Sequence, residues 1–233
     1  WVEEDRVIAM YQGVDAGEMV AVSSDPLLLN WEKLTGGPVI TKQEAVEAGY
    51  PFNLWDPCIW KQDGVYYSLI GAWQDTGPGD KQMRADYLLR SENLTDWEYL
   101  HPFVEEDDFS LVGDDGACPY FWPIGTGKYI LLHFSHMSGG KYMVGDYDTD
   151  RNKFVVTNGG HFNHGPVSPS GVHAPSAFPD GKGGVYCIFN MNPGAWSREA
   201  KWNQLMTMPM LLTIDEKDYL HMSPAGDYES LRK

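Results

Sequence analysis

Three short stretches of the sequence gather residue types that could do chemistry: Trp55-Asp56-Pro57, Asp114-Asp115 just ahead of Ala117-Cys118-Pro119, and His173-Ala174-Pro175. One carboxyl that gives up a proton and another that stays ionised, set across a single bond, can hydrolyse a glycosidic linkage. Asp56 is the leading candidate for a carboxylate that faces a shared cavity. Its competing reading is a strand-end aspartate that caps a turn. Asp115, with Asp114 as the alternative, is the candidate acid, because two adjacent like charges partly removed from water raise the pKa of one. Against that, the pair continues the acidic run Glu105-Glu106-Asp107-Asp108 and would then be a solvated loop. His173 could hydrogen-bond a substrate hydroxyl, whereas His136 and His164 have no supporting motif and read as surface or turn residues. Cys58, Cys118 and Cys187 lack metal-type spacing, and their odd number argues against a complete disulfide framework. They read as free buried thiols. A zinc site would need three or four converging ligands, which the sequence does not suggest. No metal and no cofactor is implied.

Something must hold these stretches near one another. Helix signals are weak, since 15 Pro and 25 Gly punctuate the chain, and the best short helix covers about Lys42 to Ala48. Strand signals recur: Arg6–Tyr11, Val65–Ile70, Tyr129–Phe134 and Val185–Phe189 are β-branched and aromatic runs bounded by turn residues. One element repeats three times, as a proline, apolar positions, a tight Gly turn and an aromatic strand. Its prolines, Pro57, Pro119 and Pro175, stand 62 and 56 residues apart. A second element ends in Trp31-Glu32 and again in Trp97-Glu98, 66 residues later. A period near 60 with Gly turns and paired aromatics predicts an all-β fold built of four-stranded propeller blades. Proline suits the first position of a strand, where no ladder donor is needed. A β-sandwich with chance likeness between strands is the competing fold.

In a propeller the strand-opening residues crowd one mouth of a central funnel. Asp56, Cys118 and Ala174 are then equivalent, with Trp55, Ala117 and His173 beside them. The expected division of this single domain is a partial blade over 1–40 and blades at about 51–110, 111–165 and 166–225. That is fewer than four whole blades, while closed propellers usually have four to eight. The first blade is therefore expected to be absent, supplied by a preceding segment or by another chain.

Composition narrows the partners. The net charge is −16 and the pI about 4.6, so nucleic acid and anionic membrane surfaces are disfavoured, whereas a neutral carbohydrate is not repelled. No apolar run approaches the roughly 20 residues that span a bilayer. Aromatics make up 13% of the chain, with Trp55, Trp73 and Trp122 as candidate sugar-stacking platforms.

The order Trp55-Asp56-Pro57, Cys118-Pro119-Tyr-Phe-Trp-Pro-Ile-Gly125, Val144-Gly-Asp-Tyr-Asp148, His173-Ala174-Pro175 resembles glycoside hydrolase family 32. The resemblance implies a five-bladed β-propeller, usually followed by a β-sandwich. Trp55-Asp56-Pro57 matches the family's Arg-Asp-Pro motif, whose Asp binds sugar hydroxyls and stabilises an oxocarbenium-like transition state. Ala117-Cys118-Pro119 matches Glu-Cys-Pro, and His173-Ala174-Pro175 matches an aromatic-Ala-Pro element. Met208–Thr213 and Glu229–Arg232 look like the last propeller strand and the exit toward the sandwich.

Three departures stand out. No Asn-Asp-Pro-Asn motif is present for the nucleophile, which fits a missing first blade. Ala117 replaces the acid/base Glu and cannot move a proton. Trp55 replaces the arginine and cannot offer its fork of donors. Asp115 then takes the acid/base role if the loop bulges; the alternative is a catalytically dead propeller that binds carbohydrate. The resemblance implies a retaining glycosidase acting on β-fructofuranosides such as sucrose or fructans, with its catalytic carboxyls roughly 5–5.5 Å apart. Residues 1–233 alone are expected to be inactive. A related furanosidase acting on arabinosides is a third reading.

Overall fold

The computed structural model describes residues 1–74, 77–162, 170–193 and 201–232. The chain divides into two compact units, Trp1–Phe103 and Val104–Lys233.

The first unit holds two antiparallel sheets. One pairs β1 (Val7–Gly13) with β2 (Gly17–Ser23), and β2 with both β3 (Glu32–Lys33) and β4 (Ile40–Thr41). Gly17 makes the β4 pairing possible. Its φ is +139°, and a Cβ there would fall 2.0 Å from the Ile40 carbonyl oxygen. The helix α1 (Lys42–Glu47) follows at the place its sequence predicts, opened by a capping box between Thr41 and Glu44. The other sheet is a simple meander of β5 (Pro57–Gln62), β6 (Val65–Gln74), β7 (Met83–Ser91) and β8 (Glu98–Pro102). Asp63 and Gly64, both at positive φ, form the two-residue turn between β5 and β6. Ile8, Met10 and Val20 of one sheet bury against Ile59 and Tyr66 of the other, so the two share a core. Each such aliphatic side chain contributes about 1.5–3 kcal/mol on burial.

The second unit repeats the plan. Its first sheet runs β10 (Ala117–Ile124), β11 (Lys128–Ser135), β12 (Gly139–Asp148), β13 (Lys153–His161), with β9 (Val104–Glu105) added in parallel outside β13. Residues 104–105 thus join the sheet that follows them in sequence. The last sheet runs β14 (Ser170–Pro179), β15 (Val185–Pro193), β17 (Met210–Ile214), β18 (Leu220–Pro224), with β16 (Leu205–Met206) also on β15. Met208–Thr213 therefore feeds the third strand and not the last. The outer place belongs to β18, because Asp215 accepts the Lys217 and Tyr219 amides and turns the chain back.

Both sequence repeats have a structural counterpart. In the tryptophan element, Leu28 and Leu94 adopt left-handed φ of 55° and 71°. Trp31 Nε1 then donates to the Leu28 carbonyl at 2.9 Å, and Trp97 Nε1 to that of Leu94 at 2.8 Å. The proline element differs from expectation. Only Pro57 opens its strand; Pro119 and Pro175 lie inside β10 and β14. They are tolerated because each sits on an edge strand within a β-bulge, between Ala117 and Tyr120 or between His173 and Ser176. The preceding residues, Cys118 and Ala174, take φ of 51° and 45°.

Candidate functional site

The expected site residues fall in both units. In the first, Asp56 lies partly buried at the entry to β5. Trp55, 39% exposed, meets Trp73 edge to face, their ring centroids 6.2 Å apart at 75°. This aromatic corner brings together two of the three proposed platforms. Trp55 also lines a cleft of about 310 Å³ with Gln12, Phe52 and Leu54. Gln12 donates to the Leu54 carbonyl at 2.9 Å, which ties β1 to the segment that carries Trp55 and Asp56.

Sequence reasoning missed Glu18. It is wholly buried on β2, and neither carboxyl oxygen has a hydrogen-bond partner among the described residues. Burial, and then the negative charge of Asp56, push its pKa up to about 8. Glu18 is therefore protonated at neutral pH beside Asp56. Its sequence signal is an acid inside an otherwise apolar strand, Gly17-Glu-Met-Val-Ala-Val-Ser23. Arg84 and Asp86, two apart on β7 and so on one face, form a buried ion pair.

In the second unit the adjacent aspartates part company. Asp114 turns inward and is wholly buried. Its carboxylate accepts from the Ser135 hydroxyl at 2.8 Å, the Ser138 hydroxyl at 2.6 Å and the Leu111 amide at 2.7 Å, and it pairs with the buried ammonium of Lys141. Burial alone would raise its pKa, but Lys141, Ser138, Leu111 and Ser135 together outweigh it and hold the group below the usual carboxylate value. The rise expected from two neighbouring like charges does not occur at Asp114. Asp115 points elsewhere. Its Oδ2 lies 2.6 Å from His136 Nδ1, and its Oδ1 accepts the His136 backbone N–H at 2.8 Å.

His136 is thus drawn into the site that the sequence left it out of. Its ring packs on Phe134 with centroids 4.8 Å apart, and His173 packs on Phe134 at 5.0 Å. His173 is buried; burial first, opposed by the Gly171 backbone and assisted by His136, lowers its pKa, so it is neutral at pH 7. Ala117 pairs with Phe134 across β10 and β11, two residues from His136, and the partly buried Cys118 follows in the bulge. Trp122 stands apart. Its indole is buried against Phe178, and its N–H is spent on the Ala177 carbonyl at 2.9 Å, which leaves no open ring face for a sugar. His164 lies outside the described residues.

The family model described as "Glycosyl hydrolases family 32 N-terminal domain" matches residues 1–224. The chain belongs to glycosyl hydrolase family 32. Among curated family 32 relatives, it is 28% identical over 235 residues to the fructan 1-exohydrolase of Bromus pictus, covering 90% of this chain and 37% of that protein. It is 22% identical over 260 residues to the sucrose-6-phosphate hydrolase of Bacillus subtilis, covering 99% of this chain and 50% of that protein. The chain thus spans half or less of the length of these relatives. Among solved structures, the Bombyx mori GH32 beta-fructofuranosidase superimposes with a TM-score of 0.72 at 22% identity, over 100% of this chain and 51% of that one. The fold is the β-propeller of family 32.

Proposed function

We propose that this chain is the propeller portion of a glycoside hydrolase that acts on β-fructofuranosides, such as sucrose or fructans, with retention of configuration. The observation that carries the reading is the family 32 match over residues 1–224, with Asp56 retained at the position of the family's Asp-Pro motif. Asp56 binds sugar hydroxyls and stabilises positive charge as the glycosidic bond opens. Trp55 and Trp73 offer an apolar corner for a sugar face, and His173 and Cys118 are the further candidates for substrate contact. Asp114 is unsuited to giving up a proton, being held ionised by four donors. The acid/base function falls to the corner built by Asp115 and His136.

Sucrose and inulin hydrolysis by the full-length protein tests the reading, with D56N as the diagnostic variant. Loss of turnover of about 10²-fold or more, with the fold retained, is expected for an electrostatic stabiliser of the transition state. Wild-type rates in D56N refute the assignment. Ala117, where the family carries Glu, favours a second reading: a propeller that binds carbohydrate without cleaving it. No turnover by the unmutated full-length protein, with sugar binding retained, would establish that alternative.

A further inference from the structure

We propose that His136 is the residue that hands the proton to the leaving group, and that Asp115 is its positioning residue. The inference rests on the glycosidase reading above and says where, in the chain that lost the family's carboxyl at Ala117, the proton comes from. A methyl group at Ala117 has no proton to give, so another protic side chain near β10 and β11 has to supply it. Asp114 is closed to this role by its four donors. Asp115 is nearly buried, and both its oxygens are occupied by His136, one by the ring and one by the backbone amide. The group of this corner that reaches solvent is the imidazole, whose side chain is 59% exposed.

The geometry fixes the roles. With Nδ1 held at 2.6 Å by the Asp115 carboxylate, the free ring nitrogen is Nε2. The carboxylate offsets the charge of the imidazolium and fixes the ring orientation, the part an aspartate plays behind a catalytic histidine. Phe134 packs on the same ring, with centroids 4.8 Å apart. His173 is neutral beside it, so it adds no competing positive charge at neutral pH.

The step balances without a cofactor. The glycosidic C–O bond breaks, its electron pair stays on the leaving oxygen, and that oxygen takes the proton from His136 Nε2. The sugar carbon is captured by a carboxylate nucleophile. Water then attacks the resulting glycosyl ester and returns a proton to Nε2.

Leaving-group dependence tests this in the full-length protein. An alcohol leaving group needs the proton, whereas a nitrophenolate does not. H136Q should lower kcat/KM for sucrose by about 10²–10⁴-fold and that for 4-nitrophenyl β-fructofuranoside by less than about 10-fold. D115N should show the same selective loss, and added imidazole should restore part of the sucrose rate of H136A. A structural role would depress both substrates equally and would not respond to imidazole. Equal losses in H136Q overturn the proposal, and so does wild-type sucrose turnover in H136Q with a loss in D115N alone, which would make Asp115 the donor. If the unmutated protein cleaves neither substrate, the glycosidase reading fails and takes this inference with it. Intact turnover in H136Q fails the inference alone.

Discussion

Glu18 in the first unit and Asp114 in the second are both wholly hidden from solvent, yet they sit in opposite protonation states. Glu18 has no hydrogen-bond donor among the described residues and faces the negative charge of Asp56, so burial wins and its pKa rises to about 8. Asp114 has two hydroxyls, an amide and an ammonium, and these overcome the same desolvation. Burial sets the cost of a charge; the number and sign of its neighbours decide whether the charge is kept. Asp114 and Asp115 show how closely neighbouring carboxyls can differ in their partners, one turned to Lys141 and two serines and the other to His136.

The contrast can be broken most severely at Lys141. K141M leaves the Asp114 carboxylate buried without its cation, and denaturant melts should report a loss of about 3–5 kcal/mol. Next comes E18Q. Glu18 ionises near 4.5 when unfolded and near 8 when folded, so the folded state loses stability as pH rises from 4.5 to 8. Glutamine abolishes that loss: E18Q should be more stable than the parent at pH 8 by on the order of a few kcal/mol and equal to it near pH 4. A parallel pH dependence in both proteins would mean that Glu18 is ionised in the folded state. The smallest effect belongs to S138A, which removes one of four donors to Asp114 and should cost about 1–2 kcal/mol. Asp114 works with the opposite sign. Its contribution is complete above its unfolded value of 3.8 and disappears as pH falls through its lowered folded value, so S138A should narrow the gap between the two and weaken acid resistance.

Much of this was legible in the residues. The helix at Lys42 announces itself through Thr41 and Glu44, a local signal four residues long. The tryptophan turns repeat because Trp31 and Trp97 each need a carbonyl three residues back, again a local demand. The site was harder. His136 meets Asp115 across 21 residues, and only the register that sets Ala117 opposite Phe134 brings them together. The state of Glu18 depends on the lack of a donor among the described residues, and such a lack has no motif. Trp122 carried the composition of a sugar platform, but its indole is consumed by the Ala177 carbonyl, 55 residues distant. The strand-opening proline is found at Pro57 and not at Pro119 or Pro175, since bulges admit proline where a regular ladder would not.

Those bulges bear on how such a protein can change. At Cys118 and at Ala174 one extra residue resets the inside–outside alternation of the strand. Everything before the kink is decoupled in phase from the packed half after it. Insertions or deletions at the bulge can exchange which upstream position looks outward while the hydrophobic half of the strand keeps its register. A blade edge made this way is a mounting rail: reactive groups can be slid along it or swapped, and the wall behind them does not have to be rebuilt.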